Sequence, residues 1–242
     1  MIDFHSHILP DMDDGSSSVE ISIAMLRALA EQGITQVVAT PHFYGWDDDP
    51  ASFLERRDRA ETALREEMAR HEGLPQVHIG AEVAFFRGIS HSEFLPRLTI
   101  RGKDCILIEM PPAPWPEEYY RELEDIRRKW DVVPIIAHID RYIGPFRTYG
   151  IPRRLARMPV YVQANGAFFL GRGRGELALR MLKAGRIHLL GSDCHNLSTR
   201  KPNLGPAQDK IRRRLGEAAI ERILEYGRSV LGDETGAVYY NV

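Results

Sequence analysis

The feature that most limits how this chain can fold is an alternation. A short apolar or β-branched run is followed by a loop and then by a stretch of helical periodicity, again and again. Runs at residues 2–4, 36–39, 77–81, 105–108, 133–137, 160–163 and 187–191 read as strands. Helical patterns fall between most of them, at 19–30, 50–70, 116–129, 175–184 and 206–226, with a weaker one at 146–157. The first helix has the clearest signals: Val19, Ile23, Leu26 and Ala30 make an apolar stripe, Ser17 and Glu20 have capping-box spacing, and Gly33 supplies a stop. Seven βα-like units without a break in composition predict one parallel α/β barrel and a single domain over residues 1–242. The rival is an open, doubly wound sheet. It would place a Gly-rich phosphate loop after the first strand, whereas here that strand runs straight into His5-Ser6-His7.

Composition removes several partners. Thirty-two Lys+Arg against 34 Asp+Glu give a formal charge of −2, which offers no field for nucleic acid. The longest apolar runs, such as 132–137, fall far short of the ~20 residues of a membrane helix, so no membrane insertion is expected. Met1-Ile2-Asp3-Phe4-His5 has neither the basic nor the apolar segment of a signal peptide, and two cysteines suit a reducing cytoplasm.

The nine histidines are informative by position. His5 and His7 follow the first strand, His42 the second, and Glu82 closes the third. Glu109 ends the fourth, His138 follows the fifth, and Asp193 and His195 follow the seventh. In an α/β barrel these strand ends converge on one mouth, where catalytic groups gather. Taken singly, His42 and His138 read as satisfied structural histidines, and an unpaired Glu82 or Glu109 is costly to bury. Taken together, at equivalent positions, they read as metal ligands. The acidic loop Asp11-Met12-Asp13-Asp14-Gly15 caps the next helix and offers one further ligand; spacing does not choose between Asp13 and Asp14. Asp3 suits the orientation of a ligand imidazole.

With Asp14, the set is nine ligands, enough for two or three divalent metals. Imidazole and carboxylate without thiolate point to Mn²⁺, Fe or Zn²⁺ more than to a structural cysteine-zinc site. Three such ions against four carboxylates leave a charge of about +2, suited to binding a dianion and hydrolysing a phosphate ester. Arg141 and Arg200, three and five residues past His138 and His195, face the same mouth and can grip phosphate oxygens as planar forks. Arg212-Arg213-Arg214 reads as a solvated helix face, and Arg172 and Arg174 stay undecided. Cys194 and Arg200 have the Cys-x5-Arg spacing of thiolate phosphatases. The intervening residues contain no glycine, however, and alternation turns Cys194 away from its neighbours. His71, His78, His91 and His188 fit no strand end. Tyr239-Tyr240 reads as a terminal strand or tail.

Asp3-x-His5-x-His7, Thr40-Pro41-His42, Gly80-Ala81-Glu82 and Asp193-x-His195 resemble the motifs of the polymerase-and-histidinol-phosphatase (PHP) superfamily. His5-Ser6-His7-Ile8, Asp13-Asp14-Gly15, Ala137-His138-Ile139-Asp140-Arg141-Tyr142 and Ser192-Asp193-Cys194-His195-Asn196-Leu197 more narrowly resemble its bacterial manganese-dependent tyrosine-protein phosphatases of capsular and extracellular polysaccharide synthesis. The likeness runs from Met1 to about Pro202. It implies a distorted seven-stranded (β/α)7, TIM-like barrel with a trinuclear site. By that resemblance His5, His7, Glu82 and Asp193 hold one metal, Asp14, His42 and His195 a second, and Glu82, Glu109 and His138 a third, while Arg141 and Arg200 hold phosphate. Asp140 stands where the family commonly has Glu, and the acidic, aromatic segment 43–49 departs from it. The implied reaction is hydrolysis of phosphotyrosine on a protein, such as a bacterial tyrosine kinase, by a metal-bridging hydroxide. The alternative is a small-molecule phosphatase such as a histidinol phosphatase. A third reading is an idle scaffold that binds metal or a kinase; the complete ligand set argues against it.

Overall fold

The computed structural model describes residues 1–143 and 150–232. Residues 146–149 of the weak helix pattern and Tyr239-Tyr240 lie outside them. All strand pairings among the described residues are parallel. β1 (Ile2–Ser6), β2 (Gln36–Ala39) and β4 (Gln76–Ile79) form one sheet in the order β1-β2-β4. The second sheet runs β3-β5-β6-β7-β8-β9, with β3 (His42–Phe43), β5 (Glu82–Ala84), β6 (Cys105–Glu109), β7 (Val133–Ile136), β8 (Tyr161–Asn165) and β9 (Leu189–Gly191). This sheet curls, and its far edge returns to the first sheet. His7 N–H donates to the Cys194 carbonyl (2.9 Å) and Asp193 N–H to that of His5 (2.8 Å), just beyond β9.

Among the described residues nine strands appear where seven runs were expected, because two short strands follow just beyond the runs at 36–39 and 77–81. Thr40-Pro41 separates β2 from β3, and Gly80-Ala81 separates β4 from β5. His42 and Glu82 therefore open new strands, directly opposite each other in register, instead of closing old ones.

The helices α1 (Val19–Ala30), α2 (Pro50–Met68), α3 (Glu117–Trp130), α4 (Gly150–Leu155), α5 (Gly166–Leu170), α6 (Arg174–Lys183), α7 (Leu204–Leu215) and α8 (Glu217–Leu231) link and follow the strands. Several differ from the sequence reading. α1 is capped by Ser18, whose side chain accepts from Ile21 N–H, and ends at Glu31, so the Ser17–Glu20 box and Gly33 are not its caps. The single pattern at 206–226 is two helices, because Gly216 adopts φ +82° between α7 and α8. α5 has no counterpart in the sequence reading.

Alternation along the strands builds two apolar clusters. Ile106 and Ile108 of β6 join a large cluster with the helices. Cys105 and Leu107 join a second, with Ile2, Phe4, Val38, Val133, Ile135, Tyr161 and Leu189, which Val230 and Leu231 of α8 complete. Residues from six strands in both sheets meet in this smaller cluster, as the inward faces of a curled sheet must.

Candidate metal centre

Beyond the apolar cluster, the strand ends and the loops after them deliver buried imidazoles and carboxylates to one place. His5 and His7 come from β1 and its extension; their Nε2 atoms are 3.1 Å apart. Glu82, fully buried at the start of β5, faces four histidines. Its Oε2 lies 3.1 Å from His5 Nε2, 3.4 Å from His7 Nε2 and 3.0 Å from His42 Nδ1, and its Oε1 lies 2.8 Å from His138 Nε2. Asp193 Oδ1 stands 3.6 Å from both His5 and His7 Nε2. Glu109 Oε1 lies 3.2 Å from His138 Nε2. Asp14 Oδ1 lies 3.6 Å from His42 Nε2 and 3.3 Å from His195 Nε2. All nine predicted ligands are thus within one continuous cluster, with donor groups such as His7, His42 and His195, or His5, Glu82 and His138, close enough to share an ion.

The donor atoms themselves fit a metal. His42 Nδ1, Glu82 Oε2 and His195 Nε2 are buried without a hydrogen-bond partner, although His42 and Glu82 approach closely. Buried polar atoms are normally satisfied, and these three point into the space between the ligands, where a divalent cation would satisfy them. Electrostatics agree. Burial opposes the Glu82 carboxylate, but His5, His138 and His42 hold its pKa well below the usual range. Burial likewise opposes a charged His7, yet Asp13 and Glu82 raise it to about 10, and Glu109 and Glu82 raise His138 to about 9 against the same cost. His195 moves the other way, to about 4, through burial and the neighbouring His7 and Arg200. Histidines that want positive charge beside carboxylates that want negative charge make a site that accepts dications in exchange for protons.

The polar neighbours of the ligands separate the two loop acids. Asp13 accepts from His7 Nδ1 (2.7 Å), from His42 N–H (2.9 Å) and from Gly15 N–H (2.9 Å), so it orients His7 and is held near pKa 2 despite burial. Asp14 is the acid whose side chain stands between His42 and His195 while 65% exposed. Asp3 does not touch an imidazole ring. It accepts from the backbone of His5 and from the backbone and hydroxyl of Ser192, tying β1 to the segment that carries Asp193. Besides Asp13, three further side chains that the sequence reading gave no role hold the candidate ligands in place. Gln163 Oε1 lies 3.4 Å from His5 Nδ1 and accepts from His138 N–H at 2.5 Å, Asn165 Nδ2 donates to Asp193 (3.0 Å), and Tyr142 Oη lies 3.2 Å from His138 Nδ1. Gln163 and Asn165 sit at alternate positions of β8, the one run assigned no site residue; two polar side chains near the end of an apolar strand were the available signal.

Residues 1–230 match the family described as capsular polysaccharide synthesis, CpsB/CapC. The chain belongs to the CpsB/CapC family. Among its relatives, the tyrosine-protein phosphatase YwqE of Bacillus subtilis is 29% identical over 97% of this chain and 93% of its own length. The tyrosine-protein phosphatase CpsB of Streptococcus pneumoniae is 28% identical over 97% and 99%. A solved structure described as YwqE from B. subtilis and CpsB from S. pneumoniae, "unique metal-dependent tyrosine phosphatases", superposes with a TM-score of 0.82 at 28% identity, covering 97% of this chain and 96% of that one. A zinc-containing histidinol phosphate phosphatase from Lactococcus lactis shares the fold, with a TM-score of 0.59 at 16% identity over 90% and 93%.

In this CpsB/CapC-family chain, Arg141 and Arg200 both reach the cluster. Arg141 donates to Glu109 (2.9 Å) and Asp193 (2.6 Å), and Arg200 to Asp14 (3.2 Å) and to the other oxygen of Asp193 (2.9 Å). Arg174 instead binds the backbone of Asp140 and lies over the Phe168 ring, and Arg212 and Arg214 pair with Glu217 and Glu176 at the surface. Cys194 is buried in the large apolar cluster, and burial pushes its thiol well above the usual range. His71, His78, His91 and His188 lie outside the cluster, paired respectively with Glu67, Gln36, Lys129 and the backbone of Val162.

Proposed function

We propose that this chain is a metal-dependent phosphoesterase that hydrolyses phosphotyrosine on a protein, a bacterial tyrosine kinase of polysaccharide synthesis being the substrate of choice. The observation that carries the reading is the convergence of nine ligand-type side chains, three with unpartnered buried donor atoms, beside two arginine forks. Whole-length likeness to proteins named tyrosine-protein phosphatases supports the choice of ester.

In this reading residues 1–242 are one PHP-type domain, and its strands count as a distorted seven-stranded barrel when β2 with β3 and β4 with β5 are each taken as one interrupted strand. His5, His7, Glu82 and Asp193 hold one metal, Asp14, His42 and His195 a second, and Glu82, Glu109 and His138 a third. The thiolate-free set of imidazoles and carboxylates suits Mn²⁺, Fe or Zn²⁺, and the resemblance to manganese-dependent phosphatases selects Mn²⁺. Such ions supply Lewis acidity and a hydroxide nucleophile at neutral pH. The chain's own groups do the rest. Asp13 and Gln163 fix the rings of His7 and His5, and Arg141 and Arg200 hold the non-bridging phosphate oxygens in line for displacement. A tyrosine phenolate, with a pKa near 10, departs without a dedicated acid. The free, buried cysteines suit a cytoplasmic setting.

The test compares kcat/KM on a phosphotyrosine peptide and on histidinol phosphate, with and without chelator. The reading expects chelator-sensitive turnover and preference for the peptide. Preference for histidinol phosphate contradicts it.

A further inference from the structure

We infer that Trp46, seated through Tyr44 on His42, is the wall that recognises the aryl ring of the substrate and so sets selectivity for aryl over alkyl phosphate esters. The inference rests on the phosphoesterase reading above and adds to it the residue that chooses the ester.

The argument starts from exposure. Among the described residues, the large hydrophobic side chains that stay exposed are Trp46 at 66%, Leu197 at 47% and Leu170 at 40%. The first two lie on the loops that follow His42 and His195, two candidate ligands whose ring centroids are 5.9 Å apart. A single exposed apolar side chain is ordinary; what singles out Trp46 is that aromatic rings tie it to the centre, and tryptophan is among the residue types most enriched where binding energy concentrates.

The aromatic side chains connect to the centre in sequence. The Tyr44 ring stacks on His42, with centroids 5.4 Å apart and planes 22° from parallel, and Trp46 lies 5.4 Å from Tyr44. With its plane 46° from that of Tyr44, Trp46 turns the row into a stepped aromatic ledge that leads outward from a candidate metal ligand. An aryl group whose phosphate reached the cluster would lie along that ledge, where offset or edge contacts between rings add to the burial of apolar surface. An alkyl phosphate would leave it in water.

The ledge is also fixed in place. Tyr44 N–H donates to the Asp48 carboxylate (2.8 Å), the Tyr44 carbonyl accepts from Asp47 N–H (2.9 Å) and Asp48 N–H (2.8 Å), and Arg56 holds Asp48 from α2 (3.0 Å). Asp49 caps α2 through Ser52 N–H. Gly45 lets the turn press against Phe86, where a Cβ would come within 2.6 Å of the ring. A binding wall held rigid before the ligand arrives loses little freedom on binding. Three hydrogen bonds within the turn thus fix the backbone that carries Trp46.

The experiment measures kcat/KM of the Mn²⁺-loaded protein on a phosphotyrosine peptide and on glycerol 2-phosphate, for wild type, Trp46→Ala and Trp46→Phe, with bound metal counted in each. The expected result is a fall of about tenfold in the aryl-to-alkyl ratio for Trp46→Ala, carried by KM for the peptide. Trp46→Phe restores most of the ratio, and metal content is equal throughout. An unchanged ratio, or a parallel loss on both substrates, overturns the inference while leaving the phosphoesterase reading intact. A wild-type protein without chelator-sensitive phosphotyrosine hydrolysis overturns that reading and the inference with it.

Discussion

The two ends of the same strands carry opposite chemistry. Toward one end, Ile2, Phe4, Leu107, Ile135 and Leu189 interlock with Val230 and Leu231 in an apolar cluster. Toward the other, within a few residues along the chain, stand His5, Glu109, His138 and Asp193, buried or nearly so and 2.6–3.6 Å from their polar neighbours. The apolar end is complete as it stands, because dispersion and exclusion of water need no further partner. The polar end is not: three of its buried atoms have no hydrogen-bond partner. Among the described residues, two of the four non-glycine positions with positive φ, His138 at 28° and Asp193 at 52°, also fall there. Strained backbone held by surrounding contacts is characteristic of sites kept for function. The lesson is that the inward faces of the strands divide between apolar packing at one end and the candidate chemistry at the other.

That contrast can be broken from either side. The largest effect is expected at Glu82, which touches four histidines. Glu82→Gln should lower kcat on a phosphotyrosine peptide by about a thousandfold or more and reduce bound metal, both measurable on one preparation. If full metal content and activity survived, the polar end would not be organised around this carboxylate. At the apolar end, Leu107→Ala should cost about 2–5 kcal/mol in denaturant unfolding, while kcat below the melting transition stays within about twofold of wild type. A proportionate loss of activity would mean that the two ends are not separable.

Acid provides a subtler probe. His188 packs between Tyr161 and Tyr226 near the apolar end, and burial lowers its pKa to about 4. The unfolded chain takes up that proton near pH 6.5, so the contribution is fully present above 6.5 and is lost as pH falls toward 4, up to about 3 kcal/mol. Asp3, raised by burial to about 6, acts with the opposite sign over part of that window. The informative measurement is therefore the difference in unfolding free energy between His188→Gln and wild type across pH 7 to 4. The variant should lose less stability in acid; an identical slope would remove His188 from the account. The smallest effect is expected for Cys194→Ser, whose sulfur is buried in the large apolar cluster shared with the helices and not among the candidate ligands. Its kcat should stay within about twofold of wild type, whereas abolished activity with retained metal would place the thiol in the chemistry.

Much of this organisation was legible in the sequence because ligand chemistry and strand periodicity coincide. His5, His7, His138, Asp193 and His195 stand just where apolar runs stop, and no packing argument explains polar residues there. β3 and β5 were harder to see, since they are only two and three residues long and begin past Thr40-Pro41 and Gly80-Ala81, where a Pro or Gly reads as the end of a strand. The choice between Asp13 and Asp14 was hidden for another reason. Adjacent residues of one type differ only in the direction that the turn gives them, and the turn is fixed by Gly15 and by the backbone of His42, far away in sequence. Gln163, Asn165 and Tyr142 escaped notice because orienting a ligand requires only a hydrogen bond, which many residue types can supply. The pairing of Arg141 and Arg200 with carboxylates across the mouth depends on distances that no spacing encodes.

The central claim is that the polar end works only when divalent metals replace the protons of its imidazoles. Adding Mn²⁺ back to chelator-treated protein, with bound metal and phosphotyrosine-peptide hydrolysis measured on the same samples, tests it directly. Activity should be absent without metal and rise with occupancy to a plateau at two or three ions per chain. Full turnover by metal-free protein, or none at full occupancy, would contradict the account.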